Sequence, residues 1–297
     1  MTQARIGIDL GGTKIEAALL HQDGRLDPRI RVPTPQGEYE ATLDAIAGLV
    51  SDLPAGEDNT PVGICTPGAI SPATGRLRNS NSVCLNGKPL LEDLQARLRR
   101  PVRIANDADC FALSEASNGA GTGANSVFGV ILGTGTGGGI VINGHLLTGP
   151  NAIAGEWGHN PLPWPDANEI PGPACYCGKR GCIETFLSGP GLARDHGGSA
   201  DPQLIAQAAE SGQADAVATM ERYHDRLARA LASVINILDP EVIVLGGGLG
   251  QISSLYQEVP LLLPKYVFSD TVRTRILPPA HGDSSGVRGA ACLWPLQ

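Results

Sequence analysis

The densest group of metal-binding side chains in the chain is Cys175-x-Cys177-x₄-Cys182, with His159 upstream. Three of the seven cysteines fall within these eight residues. Structural zinc takes four nitrogen or sulfur ligands in a tetrahedron, and three thiolates with one imidazole meet that count. Gly178 and Gly181 allow the tight backbone a short knuckle needs. The spacing favours structural Zn²⁺ over a disulfide, which an odd cysteine count and a reducing compartment disfavour, and over catalytic thiols. Glu156 and Glu184 flank the group. Read as functional, they are fixed acceptors for sugar hydroxyls; read blandly, they are surface acids.

Two glycine turns are the next chemical feature. Asp9-Leu10-Gly11-Gly12-Thr13-Lys14 puts a carboxylate at a strand end beside a bare turn, where backbone N–H groups can approach phosphate oxygens. Asp9 could hold Mg²⁺ directly or through water. A glycine hairpin without a ligand explains the same residues equally well. Gly133-Thr134-Gly135-Thr136-Gly137-Gly138 is the second turn. It matches G-x-G-x-x-G, but a strand pattern follows where a dinucleotide site needs a helix. Gly247 and Gly248, after a strand, offer flat backbone for an adenine or form a plain strand-to-helix turn. Asn106-Asp107 lies between a strand and a helix. Asp107 is either the helix N-cap or a general base for phosphoryl transfer to a hydroxyl, and Asn106 suits a sugar hydroxyl.

Something must position these residues. Strands are expected at 6–10, 15–20, 26–32, 62–65, 102–105, 127–132, 140–142 and 242–245, with a glycine-rich turn over 133–139. Helices are expected at 38–53, 89–98, 108–117, much of 201–238, and 285–296. The opening strand, glycine turn and strand recur from residue 127, which suggests an internal duplication; two hairpins sharing glycine corners by chance is the alternative. With 42% hydrophobic and 18% charged residues, 39 glycines and only 4% aromatics, the 297-residue chain suits a two-domain α/β protein. A net charge of −8 and the lack of a basic run argue against nucleic acid as a partner. No apolar stretch suggests a membrane span, and the first strand pattern begins without a signal-peptide pattern, so a cytoplasmic location is expected.

IGIDLGGTK, NDAD, LGTGTGGGIVING, GEWGH, CYCGKRGCIE and VLGGG, in that order, resemble the ROK family (repressors, open reading frames and kinases) nearly end to end. The resemblance implies α/β architecture: two actin-like (ribonuclease H-like) domains flanking an ATP/sugar cleft. The expected division is 1–118 for the first domain, with the helix about 285–297 packing back on it, and 119–284 for the second, with a zinc loop over 159–182. Asp107 would be the catalytic base. Asn81, Asn106, Glu156, His159 and Glu184 would line or support the sugar pocket, His159 reaching sugar only through the nitrogen that does not face zinc. Asp9, Gly11, Gly12, Thr13 and Lys14 and Gly133–Gly137 would be the ATP–Mg²⁺ segments. A homodimer is implied by the resemblance. The first strand leaves no room for the DNA-binding domain of repressor members. The segments 67–72 and 78–87 look like the fructokinase/mannokinase branch, although Cys84 stands where those relatives carry Trp. Fructose is therefore the expected acceptor; N-acetylglucosamine or glucose kinase activity, and a non-catalytic sugar-sensing regulator, are the alternatives.

Overall fold

The structure, a computed structural model, describes residues 4–54, 59–198 and 200–295. In chain order it begins with β1 (Arg5–Leu10), β2 (Lys14–Leu20), β3 (Ile30–Pro33), α1 (Tyr39–Asp52) and β4 (Val62–Cys65). There follow β5 (Ala69–Ile70), β6 (Leu77–Arg78), α2 (Leu90–Leu98), β7 (Val102–Ala105) and α3 (Asp107–Asn118). Next come β8 (Ser126–Leu132), β9 (Thr136–Ile142), β10 (His145–Leu146), α4 (Ile183–Leu187), α5 (Gly189–Asp195), α6 (Pro202–Glu210) and α7 (Ala214–Leu238). The chain ends with β11 (Val242–Gly246), α8 (Ser254–Leu262), β12 (Arg275–Leu277) and α9 (Ser285–Cys292). Two compact units result. One lies within Met1–Gly123, Gly144–Ala154 and His281–Gln297, the other is Ala124–Asn143 with Gly155–Ala280.

The first unit is built on a sheet of order β3-β2-β1-β4-β7. Alternation along its central strands sorts the two faces. Ile6, Ile8 and Leu10 of β1 and Val62 and Ile64 of β4 join Leu43, Ile46, Leu90 and Leu94 of α1 and α2 in one apolar core. The odd-numbered positions turn to α9. Gly7 and Gly63 are bare because a Cβ on either would stand 1.9 Å from the Val287 carbonyl oxygen or 1.7 Å from that of Ala290. Arg5 Nη1 donates to the Trp294 carbonyl at 2.7 Å, at the far end of the same helix. At the near end, a Cβ on Gly286 would fall 2.4 Å from Asp9 Oδ2. The helix therefore runs antiparallel to β1 and brings its first turn to Asp9. Ser285 Oγ also donates to the fully buried Glu115 carboxylate of α3.

In the second unit β9, β8, β11 and β12 are neighbours in that order. The hairpin β8–β9 is antiparallel, and β8–β11 and β11–β12 are parallel. This repeats β2-β1-β4-β7, where an antiparallel hairpin likewise precedes two parallel pairs. The recurrence in the sequence is thus a repeated sheet topology. The core gathers Phe128, Val130, Leu132, Ile243 and Leu245 from the sheet with Tyr223, Leu227 and Leu231 of α7.

Three elements differ from expectation. β3 starts at Ile30 rather than Leu26, which makes only an isolated bridge to Leu20; Pro28 lacks the N–H that would continue the ladder. The glycine run does not stay a turn to residue 139. β9 begins at Thr136, and Gly137, Gly138 and Gly139 pair with Ile131, Val130 and Gly129. The glycines are there for close approach: a Cβ on Gly138 would lie 2.8 Å from the Phe128 ring and 2.9 Å from the Gly155 carbonyl oxygen. The expected last helix ends at Cys292, and its expected end at Leu296 lies outside the described residues.

Candidate active site and candidate metal centre

The first unit collects Asp9, the first glycine turn, Asn81, Asn106 and Asp107. Asp9 and Cys65 are register partners on β1 and β4, and Cys65 pairs in turn with Ala105, just before Asn106. Sheet pairing therefore sets the spacing of the two aspartates. Burial raises the Asp9 carboxyl most; a hydrogen bond from the Cys65 thiol opposes it, and the charges of Glu16 and Asp107 push it up further, to about 6. Asp107 begins α3 but is not its N-cap. Asn106 takes that role, its Oδ1 accepting from the Asp109 N–H at 2.6 Å. Asp107 Oδ1 accepts from the Ala108 N–H at 2.9 Å. The Asp107 side chain still meets solvent, which decides whether a ligand can reach it. The protein packed around it nonetheless desolvates the carboxyl and raises it above the ordinary aspartate range, against the pull of the backbone hydrogen bonds.

The Gly11–Lys14 turn has its acceptors occupied. The carbonyls of Gly11, Gly12 and Thr13 receive Thr34 Oγ1 at 2.7 Å, Gln36 Nε2 at 2.6 Å and the Thr34 N–H at 3.0 Å. What the turn offers a ligand is its donors, which suits an anion. Lys14 reaches back to the buried Glu16 at 3.2 Å. Asn81 is exposed in a loop that Asn86 fastens, accepting from the Ser80 N–H at 2.9 Å and donating to the Ser80 carbonyl at 2.8 Å. Cys84 packs, half-buried, against the first core.

The second unit holds the other glycine turn, Glu156, Glu184, the cysteine group and Gly247. Gly133 N–H closes the turn on the Gly135 carbonyl at 2.9 Å, and the Gly133 carbonyl accepts from the Gly189 N–H at the start of α5 at 2.7 Å. GEWGH lies directly along β9. Trp157 Nε1 donates to the Gly137 carbonyl at 2.9 Å, and a Cβ on Gly158 would stand 2.0 Å from the Thr136 carbonyl oxygen. Glu156 itself is exposed. Gly247, at φ +78°, abuts the end of β8, its virtual Cβ 2.4 Å from the Leu132 carbonyl oxygen; Gly248 beside it is exposed.

His159, Cys175, Cys177 and Cys182 each bring one donor atom within 4.8 Å of all the others. Cys177 and Cys182 sulfurs are 3.7 Å apart, and Cys175 Sγ is 3.6 Å from His159 Nδ1. A tetrahedron with Zn–S near 2.3 Å and Zn–N near 2.0–2.1 Å has S···S and S···N edges of about 3.8 and 3.5 Å. A disulfide would need about 2.05 Å. The donor set and its edges thus fit a tetrahedral ion. The other imidazole nitrogen, Nε2, lies 2.9 Å from Tyr176 Oη. Tyr176 was not singled out in the sequence, although its place between two ligand cysteines was the signal.

The loop carrying these ligands is anchored by Glu169, also missed. Its carboxylate accepts from Arg226 Nε at 2.6 Å and from Arg229 Nη1 at 2.9 Å and Nη2 at 3.0 Å, all three side chains being buried. Burial would raise this carboxyl, but the hydrogen bonds from Arg229, Arg226 and the Asp166 N–H hold it down to about 2.

Two actin-like α/β units, each with a glycine turn beside a carboxylate, define the class. A family model described as "ROK family" matches residues 5–297. The chain belongs to the ROK family. It is 42% identical over 298 residues to an N-acetyl-D-glucosamine kinase of Salmonella paratyphi A, covering 97% of this chain and 98% of that one. It is 41% identical over 297 residues to the N-acetyl-D-glucosamine kinase of Vibrio parahaemolyticus, with the same coverage. Among solved structures, a ROK hexokinase from Thermus thermophilus superposes with a TM-score of 0.84 at 28% identity, over 98% of this chain and 97% of that one. A ROK family glucokinase from Streptomyces griseus, in complex with glucose and AMPPNP, gives a TM-score of 0.76 at 28% identity, over 98% of both chains. The expected fructokinase/mannokinase branch is not specifically supported: the two sequence relatives are named for N-acetylglucosamine, the first alternative, and the two structures for hexokinase and glucokinase.

Proposed function

We propose that the protein is an ATP-dependent hexose kinase whose acceptor is N-acetylglucosamine. The observation that carries the sugar is the 41–42% identity, across 97% of the chain, to N-acetyl-D-glucosamine kinases. Fructose, expected from the loop residues 78–87, gives way because nothing in that loop outweighs a likeness of that length. The nucleotide has separate support: two donor-presenting glycine turns, and the complex of the Streptomyces griseus relative with AMPPNP.

The acceptor hydroxyl attacks the γ-phosphorus of ATP, the bond from that phosphorus to the β–γ bridging oxygen breaks, and ADP leaves. Asp107 takes the hydroxyl proton. Its Oδ1 is held by the Ala108 N–H, so Oδ2 is the accepting oxygen, and the raised basicity of the carboxylate favours the transfer. Mg²⁺, when bound with ATP, neutralises phosphate charge, and Asp9 is the carboxylate that would hold it. The N–H groups of Gly12 and Thr13 in the first turn and of Thr134 and Gly135 in the second orient the phosphates, those of Gly11, Gly133 and Thr136 being held within the protein. Asn81, Asn106, Glu156 and Glu184 receive sugar hydroxyls. His159, Cys175, Cys177 and Cys182 hold Zn²⁺ as a structural ion that fixes the loop ending at Glu184.

The test is ADP release with ATP–Mg²⁺ against N-acetylglucosamine, fructose, mannose and glucose in parallel. The highest kcat/KM belongs to N-acetylglucosamine. A clear preference for fructose would return the sugar to the loop-based expectation, and no transfer to any hexose would leave a sugar-sensing regulator.

A further inference from the structure

Glu184 was assigned above to the sugar, yet one of its oxygens is already in use. Oε2 accepts from the Thr136 backbone N–H at 3.0 Å. The same oxygen would lie 2.7 Å from a Cβ on Gly135, so the carboxylate presses on the bare backbone of the glycine turn. Glu184 stands in the first turn of α4, whose N-cap is Cys182. Its backbone carbonyl accepts from the Ser188 N–H at 3.0 Å, and Ser188 Oγ caps α5 by accepting from the Gly191 N–H at 3.2 Å. The α5 start in turn holds the Gly133 carbonyl. Both ends of the turn are thus fastened to one short segment, 182–191.

A second observation points to the ligand. Thr136 Oγ1 is buried and has no hydrogen-bond partner among the described residues. A buried hydroxyl is costly unless it is satisfied. It sits on the residue whose N–H Glu184 holds, at the start of β9, where the turn would meet an anionic phosphate.

We infer that Glu184 is a positioning residue for the nucleotide-binding turn as well as a sugar acceptor. Oε2 sets the Gly133–Thr136 turn and aims Thr136 Oγ1 at a phosphate oxygen, while Oε1 receives the sugar hydroxyl. A single carboxylate then ties the geometry of the phosphate donor to that of the acceptor sugar. This rests on the kinase reading.

The experiment compares Glu184→Ala and Glu184→Gln with the wild-type protein. Binding of AMPPNP–Mg²⁺ is measured by calorimetry without sugar, and amide hydrogen exchange is followed over residues 133–138. Gln keeps a carbonyl oxygen for the Thr136 N–H but loses the carboxylate. Glu184→Ala weakens AMPPNP by about tenfold, the scale of one charge-assisted hydrogen bond, and speeds exchange in the turn. Glu184→Gln keeps nucleotide affinity within about twofold and slow exchange, while KM for the sugar rises. Wild-type nucleotide affinity and exchange in Glu184→Ala would overturn the inference and leave the kinase reading standing. A wild-type protein that binds no AMPPNP and phosphorylates no hexose would overturn that reading and the inference together. Should the Ala variant not fold, Glu184→Asp, one methylene shorter and so withdrawn from the Thr136 N–H, takes its place, and wild-type nucleotide affinity and exchange in that variant overturn the proposal.

Discussion

Replacing Glu169 by Gln removes the charge that two buried guanidiniums share. The Glu169 side chain is 6% exposed, so solvent screens the interaction little. Between a carboxyl at its ordinary 4.5 and one held at about 2 lies about 3 kcal/mol of stability at neutral pH. The cost should not much exceed that. Arg226 keeps Asp195 at 2.9 Å, and Arg229 keeps Asp225 at 2.9 Å and the carbonyls of Pro163 and Trp164. The sign follows from a folded pKa below the unfolded one. The contribution is complete above about pH 5 and is lost as pH falls toward and through 2, with roughly 1.4 kcal/mol left at pH 3. Urea unfolding followed by tryptophan fluorescence measures it, since Trp164 stacks on Tyr266 beside this network. Wild type and Glu169→Gln should differ by about 3 kcal/mol at pH 7 and by less than half of that at pH 3. A difference under about 0.5 kcal/mol at pH 7, the range of an ordinary surface change, or one indifferent to pH, would refute the reasoning.

Asp107→Asn should lower turnover by at least about 100-fold while AMPPNP binding persists; near-normal turnover in a kinetic assay would remove Asp107 from the base role. Metal analysis of protein purified without chelator should find about one zinc per chain, and Cys182→Ser should lose it. A fully active preparation without zinc would contradict the structural ion. Gly63→Ala would put a methyl 1.7 Å from the Ala290 carbonyl oxygen and should cost about 3 kcal/mol by lifting α9. Gly48→Ala in α1, with nothing within 4 Å, should instead gain about 0.5–1 kcal/mol. Denaturation midpoints of this pair separate a packing effect from a backbone one.

Motifs whose chemistry is local were legible in the sequence. The Cys175–Cys182 spacing fixes a knuckle by itself, and the short strands at 62–65 and 102–105, each opening on Val with Ile two residues on, place Asp9 and Asp107 by register. Features made by distant partners were not. Whether Asn106 or Asp107 caps α3 depends on which side chain turns to the Asp109 N–H, and two adjacent capping residues give no sign. Glu169 looks like a loop acid until Arg226 and Arg229, on α7, meet it. β12 is a three-residue edge strand, too short to leave a period. The glycines at 137–139 look like a turn because the reason for them, the Phe128 ring and the Gly155 carbonyl, lies elsewhere in the chain. The sugar was the least legible, since hydroxyl acceptors such as Asn81 and Glu156 are exposed polar residues of kinds any surface carries.

The place of α9 has a consequence for how the protein is made. β1 leaves the ribosome before the second unit does, and the helix that covers its odd-numbered face leaves after it. All of 124–143 and 155–280 is synthesised between them. Until α9 arrives, Gly7 and Gly63 leave a bare strip of sheet open to water, and Asp9 has lost the helix turn it rests against. The second unit, by contrast, has its whole sheet and core in hand once residue 280 has emerged. Synthesis order therefore favours completion of the second unit ahead of the first. The joining of β1 to α9, across the whole of the second unit, is an entropically expensive closure that follows synthesis of that unit. A chain truncated before Ser285 would keep both glycine turns in its sequence and still lack the wall that sets its first carboxylate.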